Sequence, residues 1–115
     1  MVYTDLTVWR KAIELVKAVY GITKNFPADE RFALSSQLKR AAVSIPSNIV
    51  EGNGRGTTKD YLHFLRQARG SLFEVQTQLI ISEELGFAPN IESAISLTNE
   101  ISRMLNTIIQ KLKDE

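Results

Sequence analysis

The sequence contains no cysteine and a single histidine, His63. Disulfides and thiolate metal sites are therefore excluded, and no second imidazole exists to share a metal or serve a nucleophilic serine. No catalytic residue, metal or cofactor is expected, and the chain reads as a non-enzyme. Long apolar runs are also missing: none reaches the roughly 18 residues of a membrane span. The first twenty residues are interrupted by Asp5, Arg10, Lys11 and Glu14, so they lack the apolar core of a signal peptide. With the absent cysteines, this points to a soluble cytoplasmic protein with no membrane partner. Aromatics are only 8% of the residues and sparse in the basic region, which disfavours readout of unstacked bases.

An excess of one charge is missing as well, since 14 Lys and Arg face 13 Asp and Glu for a net +1. The distribution is uneven. Residues 1–30 balance, Arg31 to Gly70 carries seven basic residues against Glu51 and Asp60, and Ser71 to Glu115 carries three basic against seven acidic. A basic middle and an acidic end can steer an anionic partner, or they can be solvated helix faces that pair with each other.

At 115 residues the chain reads as one domain, 1–115, able to bury a modest core. Its periodicity is helical throughout. The first helix is expected over residues 7–26, capped by Thr7 or Asp5 and followed by Pro27. It carries two adjacent apolar stripes. Trp9, Ile13, Val16 and Tyr20 form one; Ala12, Leu15, Val19, Ile22 and Phe26 form the other. This arc is wider than one bundle side needs, so either neighbours cover it from two sides or part of it faces another subunit. Gly21 costs about 1 kcal/mol or marks a close contact. The turn Pro27-Ala28-Asp29-Glu30 should start the second helix, with its acidic pair near the positive end of the dipole.

The second helix holds the stretch around which the chain is organised. Leu34, Leu38, Ala41, Ala42, Ile45 and Ile49 fall on one face, and Gln37, Arg40, Ser44, Asn48, Glu51 and Arg55 on the other. Pro46 lies inside, where it removes a donor and clashes with the Ala42 carbonyl. The apolar register runs straight through it, which predicts a kink and not a stop. Gly52, Gly54 and Gly56 should end the helix. Thr57 or Thr58 then caps a third helix, on which Tyr61, Leu65, Ala68, Leu72, Val75 and Leu79 make a heptad stripe. Gly70 on this helix is expected to permit close approach of a neighbour, and Gly86 to close it. The fourth helix is expected over roughly 91–112, capped by Asn90, with Ile101, Leu105, Ile108 and Leu112 on a stripe and Leu97 and Met104 beside it. Short connections between four long helices predict an all-α, antiparallel up-down-up-down four-helix bundle.

Gly52-Asn53-Gly54-Arg55-Gly56 follows a helix instead of a strand and lacks a Gly-Lys-Ser/Thr ending, so it reads as a helix stop in preference to a phosphate loop. The polar stripe of the second helix carries more meaning. In a structural reading Ser44 and Asn48 satisfy carbonyls released around Pro46, while Arg40 and Glu51 make inter-helix or inter-subunit pairs. In a functional reading Arg40, Asn48 and Arg55, with Lys39, Lys59, Arg66 and Arg69 nearby, form a surface for RNA or DNA.

Three stretches carry a family resemblance over nearly the whole chain: LTVWRKAIELV, FALSSQLKRAAVSIPSNIVEGNGRG and FLRQARGSLFEVQTQL. With its Ser-Ile-Pro, Asn-Ile-Val-Glu-Gly and Gly-Arg-Gly segments, the chain resembles the four-helix-bundle family named after the 23S rRNA intervening-sequence protein. The resemblance implies a bacterial bundle whose members tend to form ring-shaped pentamers. It extends to the accessory variability protein of diversity-generating retroelements, whose basic pentameric barrel binds nucleic acid and a reverse transcriptase. This chain departs from that protein in being almost neutral. Two functions follow as expectations: a homo-oligomeric, non-enzymatic accessory protein that binds nucleic acid, or a structural scaffold whose partners are proteins. Clustering of Arg40, Arg55, Lys59, Arg66 and Arg69 on one exposed surface or ring lumen would favour the first, and their neutralisation by the acidic fourth helix would favour the scaffold.

Overall fold

Apolar residues at alternating spacings of three and four line one face of an α-helix, and a chain with four such runs buries them only by pressing the faces together. The computed structural model describes all 115 residues and contains four long helices and no strand. They are α1 (Tyr3–Thr23), α2 (Leu34–Gly54), α3 (Thr58–Glu84) and α4 (Glu92–Lys113), with a single 3-10 turn at Ala28–Glu30. Each helix packs on two others, in the ring α1–α2–α3–α4–α1. The result is a four-helix bundle about one core of 23 buried apolar residues.

The heptad stripe of α3 is its buried face: Leu65, Ala68, Leu72, Val75 and Leu79 are fully excluded from solvent and Tyr61 nearly so. On α4, Ile101, Leu105 and Ile108 are buried and Leu112 partly so, with Leu97 and Met104 packed beside them. Of the two stripes of α1, the bundle uses the second. Ala12, Leu15, Val19 and Phe26 are buried, while Ile13 and Tyr20 remain 36% and 44% exposed. Cross-helix partners run in opposite senses along two seams. On α2 and α3, Gly52 meets Phe64 and Ser44 meets Ser71. On α3 and α4, Arg69 meets Asn106 and Gln76 meets Asn99.

Several expected boundaries move. Helix α1 starts at Tyr3, with Val2 at the cap position and no side-chain cap bond. Thr7 lies inside it and donates to the Tyr3 carbonyl at 2.9 Å, and Asp5 is buried. The turn Ala28–Glu30 does not lead into α2 directly. Arg31 to Ala33 intervene, and Ala33 leaves helical geometry at φ −120°, ψ −111° before α2 begins at Leu34. Thr57 is the cap of α3, its hydroxyl accepting from the Asp60 amide at 3.2 Å. Asn90 does not cap α4; Ile91 holds that position without a side-chain bond.

The glycines divide differently from expectation. Gly52 lies within α2 and is buried, so it is a contact residue and not a stop. A Cβ there would fall 2.5 Å from the Phe64 Cβ. Gly56 and Gly86, at φ +88° and +78°, take the left-handed geometry that ends α2 and α3. Gly21 and Gly70 face open space, so neither marks a close helix approach.

Candidate functional site

Pro46 sits inside a continuous α2 and is itself buried. Its missing N–H leaves the Ala42 carbonyl without the usual partner four residues on. The neighbouring turn is reinforced by side chains. Ser47 donates to the Val43 carbonyl at 2.9 Å, and Asn48 Nδ2 donates to the Ser44 carbonyl at 2.8 Å and to Ser44 Oγ at 2.9 Å. Of the two residues expected to satisfy carbonyls here, only Asn48 does so, and the carbonyl it reaches is that of Ser44, two residues past the released one. Ser44 Oγ instead pairs with Ser71 Oγ at 2.9 Å, tying the polar stripe of α2 to α3.

Arg40 and Glu51 do not pair in the chain. Glu51 is held by Arg55 one turn later, at 2.6 Å. The Arg55 guanidinium also lies over the Phe64 ring, 5.0 Å from its centroid, above the place where Gly52 admits Phe64. This small device at the α2–α3 end is built from the Glu-Gly-Asn-Gly-Arg run: the glycine lets α3 in, and the arginine closes over it.

The remaining basic residues make separate contacts within the chain. Lys39 lies over the Tyr20 ring at 5.1 Å, in a groove between α1 and α2 that Arg40, Val43 and Ser44 also line. Arg69 donates to Asn106 Oδ1 on α4 at 3.0 Å. Arg40, Lys59 and Arg66 are exposed and make no ion pair or hydrogen bond within the chain. The structure brings together Arg55 with Glu51, and Lys39 with Arg40; Lys59, Arg66 and Arg69 all lie on α3.

His63 is exposed and bonded to Gln67 at 3.1 Å, and no three His, Cys, Asp or Glu side chains gather where a metal could sit. The one polar pair deep in the bundle was missed by sequence reasoning. Tyr61 donates to Asp5 Oδ2 at 2.8 Å across the bundle diagonal, both residues being under 10% exposed. Burial is the largest cause that pushes the Tyr61 hydroxyl well above its ordinary pKa of 10.0, and the hydrogen bond to Asp5 adds to it. The signal was available: Asp5 falls in register with Val8, Ala12, Leu15 and Val19, so an acid occupies a core position. Thr98 does the same on α4, where Gln76 donates to its hydroxyl at 2.9 Å.

The model of the 23S rRNA-intervening sequence protein family matches residues 4–107. The fold is similar to the crystal structure of a protein of unknown function from the S23 ribosomal protein family of Bacteroides thetaiotaomicron. That structure has a TM-score of 0.85 and 24% sequence identity, over 93% of this chain and 98% of the other. No curated protein matches the chain.

Proposed function

We propose that this chain, which belongs to the 23S rRNA-intervening sequence protein family, is a non-enzymatic accessory protein that works as a homo-oligomer and holds RNA or DNA by the phosphate backbone. The family resemblance supplies the expected number, a pentamer. One observation carries the reading. The seven acidic residues after Gly70 do not neutralise the basic residues of α2 and α3, because the chain has only two ion pairs, Lys11–Glu100 and Arg55–Glu51. The segment Arg31 to Gly70 therefore keeps its excess of five positive charges after folding. One subunit offers few phosphate contacts, while several copies present them together and bind by counterion release. With no exposed row of aromatics beside these cations, binding is sequence-independent.

The test is a titration of labelled RNA and DNA at about 50 and 200 mM salt, the range over which phosphate contacts lose most affinity. Wild type is expected to bind at the lower salt and weaken steeply at the higher, and Lys59→Glu with Arg66→Glu to bind far more weakly. Both residues are exposed and unpaired, so the bundle keeps its fold. Negligible binding by wild type and variant alike at the lower salt leaves the second reading, a scaffold for a protein partner. That reading is favoured by the cations already engaged within the chain: Lys39 on Tyr20, Arg55 on Glu51 and Arg69 on Asn106.

A further inference from the structure

Two opposite sides of the bundle expose apolar side chains. On the α1–α2 side, Ile13 and Tyr20 of α1 and Val43 and Val50 of α2 are 36–48% exposed. Lys39 over the Tyr20 ring shows that these two strips adjoin. On the α3–α4 side, Phe73 and Ile80 are each 49% exposed, and Ile80 opens onto a groove that Glu83, Ile91, Glu92 and Ile95 line. Because the helices contact in the ring α1–α2–α3–α4, the α1–α2 side and the α3–α4 side face away from each other.

Their rims carry opposite charge. Lys17 and Lys24 share the helical register of Ile13 and Tyr20, and Lys39 lies over the Tyr20 ring; with Asp29 and Glu30 of the linker counted, that end keeps a net positive charge. Around Ile80 the balance reverses: Glu83 and Glu92 line its groove with no basic residue among the lining, and Glu84 follows Glu83 on α3. The two rims also match in height. Asp5 bonded to Tyr61 puts the first turns of α1 and α3 at the same end of the bundle. At 1.5 Å per residue, Tyr20 and Lys24 lie roughly 22 and 28 Å above Asp5, and Ile80 and Glu83 lie roughly 28 and 33 Å above Tyr61, which brings Lys24 within about 5 Å of the height of Glu83. Rotation about an axis parallel to the helices keeps heights, so the positive rim of one copy meets the negative rim of the next.

We infer that the α1–α2 side of one copy seats on the α3–α4 side of the next, head to tail, with the apolar strips at the centre and lysine–glutamate pairs at the rim. This rests on the homo-oligomer reading and names its seam. Pairing α1–α2 with itself about a two-fold axis parallel to the helices would set lysine against lysine, whereas the unlike pairing is complementary at the centre and at the rim. It also assigns Lys39 to the seam and leaves Lys59 and Arg66 to the nucleic acid.

Light scattering at micromolar concentration and about 50 mM salt tests this with three variants, with helicity followed by circular dichroism. Lys17→Glu with Lys24→Glu sets glutamates against Glu83 and Glu84, and Glu83→Lys with Glu84→Lys sets lysines against Lys17 and Lys24. Each is expected to lower the assembly mass at least twofold, towards the 12.9 kDa of one chain. The fourfold variant carries the reversed but complementary pair and is expected to regain the wild-type mass. Unchanged mass in either double variant, or a helical fourfold variant that stays dissociated, overturns the pairing of these two sides while the oligomer reading stands. A wild type of 12.9 kDa overturns both.

Discussion

Gly52 is pressed against α3 so closely that the smallest side chain has no room. A Cβ there would lie 2.5 Å from Phe64 and 3.1 Å from the Tyr61 ring. Gly52→Ala is expected to lower stability by about 1–3 kcal/mol, as overpacking of a tight contact does. Gly70 is the control on the neighbouring helix. Its Cβ direction is open, so Gly70→Ala is expected to stabilise by about 0.5–1 kcal/mol through helix propensity alone. Urea melts of the two variants should move in opposite directions. Tyr61 and Asp5 give a pH signature. The folded state holds the Tyr61 proton above the ordinary 10.0, so the unfolded chain loses it first as pH rises. This contribution is fully present below pH 10 and is lost as pH rises above it. Tyr61→Phe is expected to cost about 1–3 kcal/mol at neutral pH by leaving Asp5 without its donor. Its stability should then fall less than that of wild type above pH 10, read from melts across the alkaline range.

Among the elements, α3 has the most uniform burial. Leu65, Leu72 and Leu79 are fully enclosed, and each replaced by Ala is expected to cost about 2–5 kcal/mol in denaturant melts. Losses under about 1 kcal/mol at all three would contradict the buried register. In α2 the expected feature is a bend at Pro46. The helix is unbroken through that residue, and Ser47 and Asn48 bond to the carbonyls one and two residues past the released one. A crystal structure is expected to show a sharp angle between the axes of the segments before and after Pro46, closing in Pro46→Ala. A straight axis in the wild type would refute it.

At the scale of the whole molecule, one chain leaves two apolar strips in water and keeps its positive and negative segments unpaired. The proposed homo-oligomer would answer both, and light scattering of wild type is then expected to give a multiple of 12.9 kDa. If nucleic acid then binds the assembly, charge reversal at Lys59 and Arg66 should abolish binding while leaving that mass unchanged.

By itself the sequence determined the four helices, their buried stripes on α3 and α4, and the left-handed stops at Gly56 and Gly86. These follow from spacing and backbone freedom within a few residues, which neighbours along the chain decide. It also placed an acid, Asp5, in a core register without indicating what receives it. Only the tertiary structure decided that Tyr61, 56 positions away, supplies the bond. Packing likewise chose which stripe of α1 faces inward and made Gly52 a contact while leaving Gly70 free. Each of those outcomes depends on where a second helix lies. Helical periodicity states which residues share a face, but the neighbour that a face meets is set by how all four fill one core.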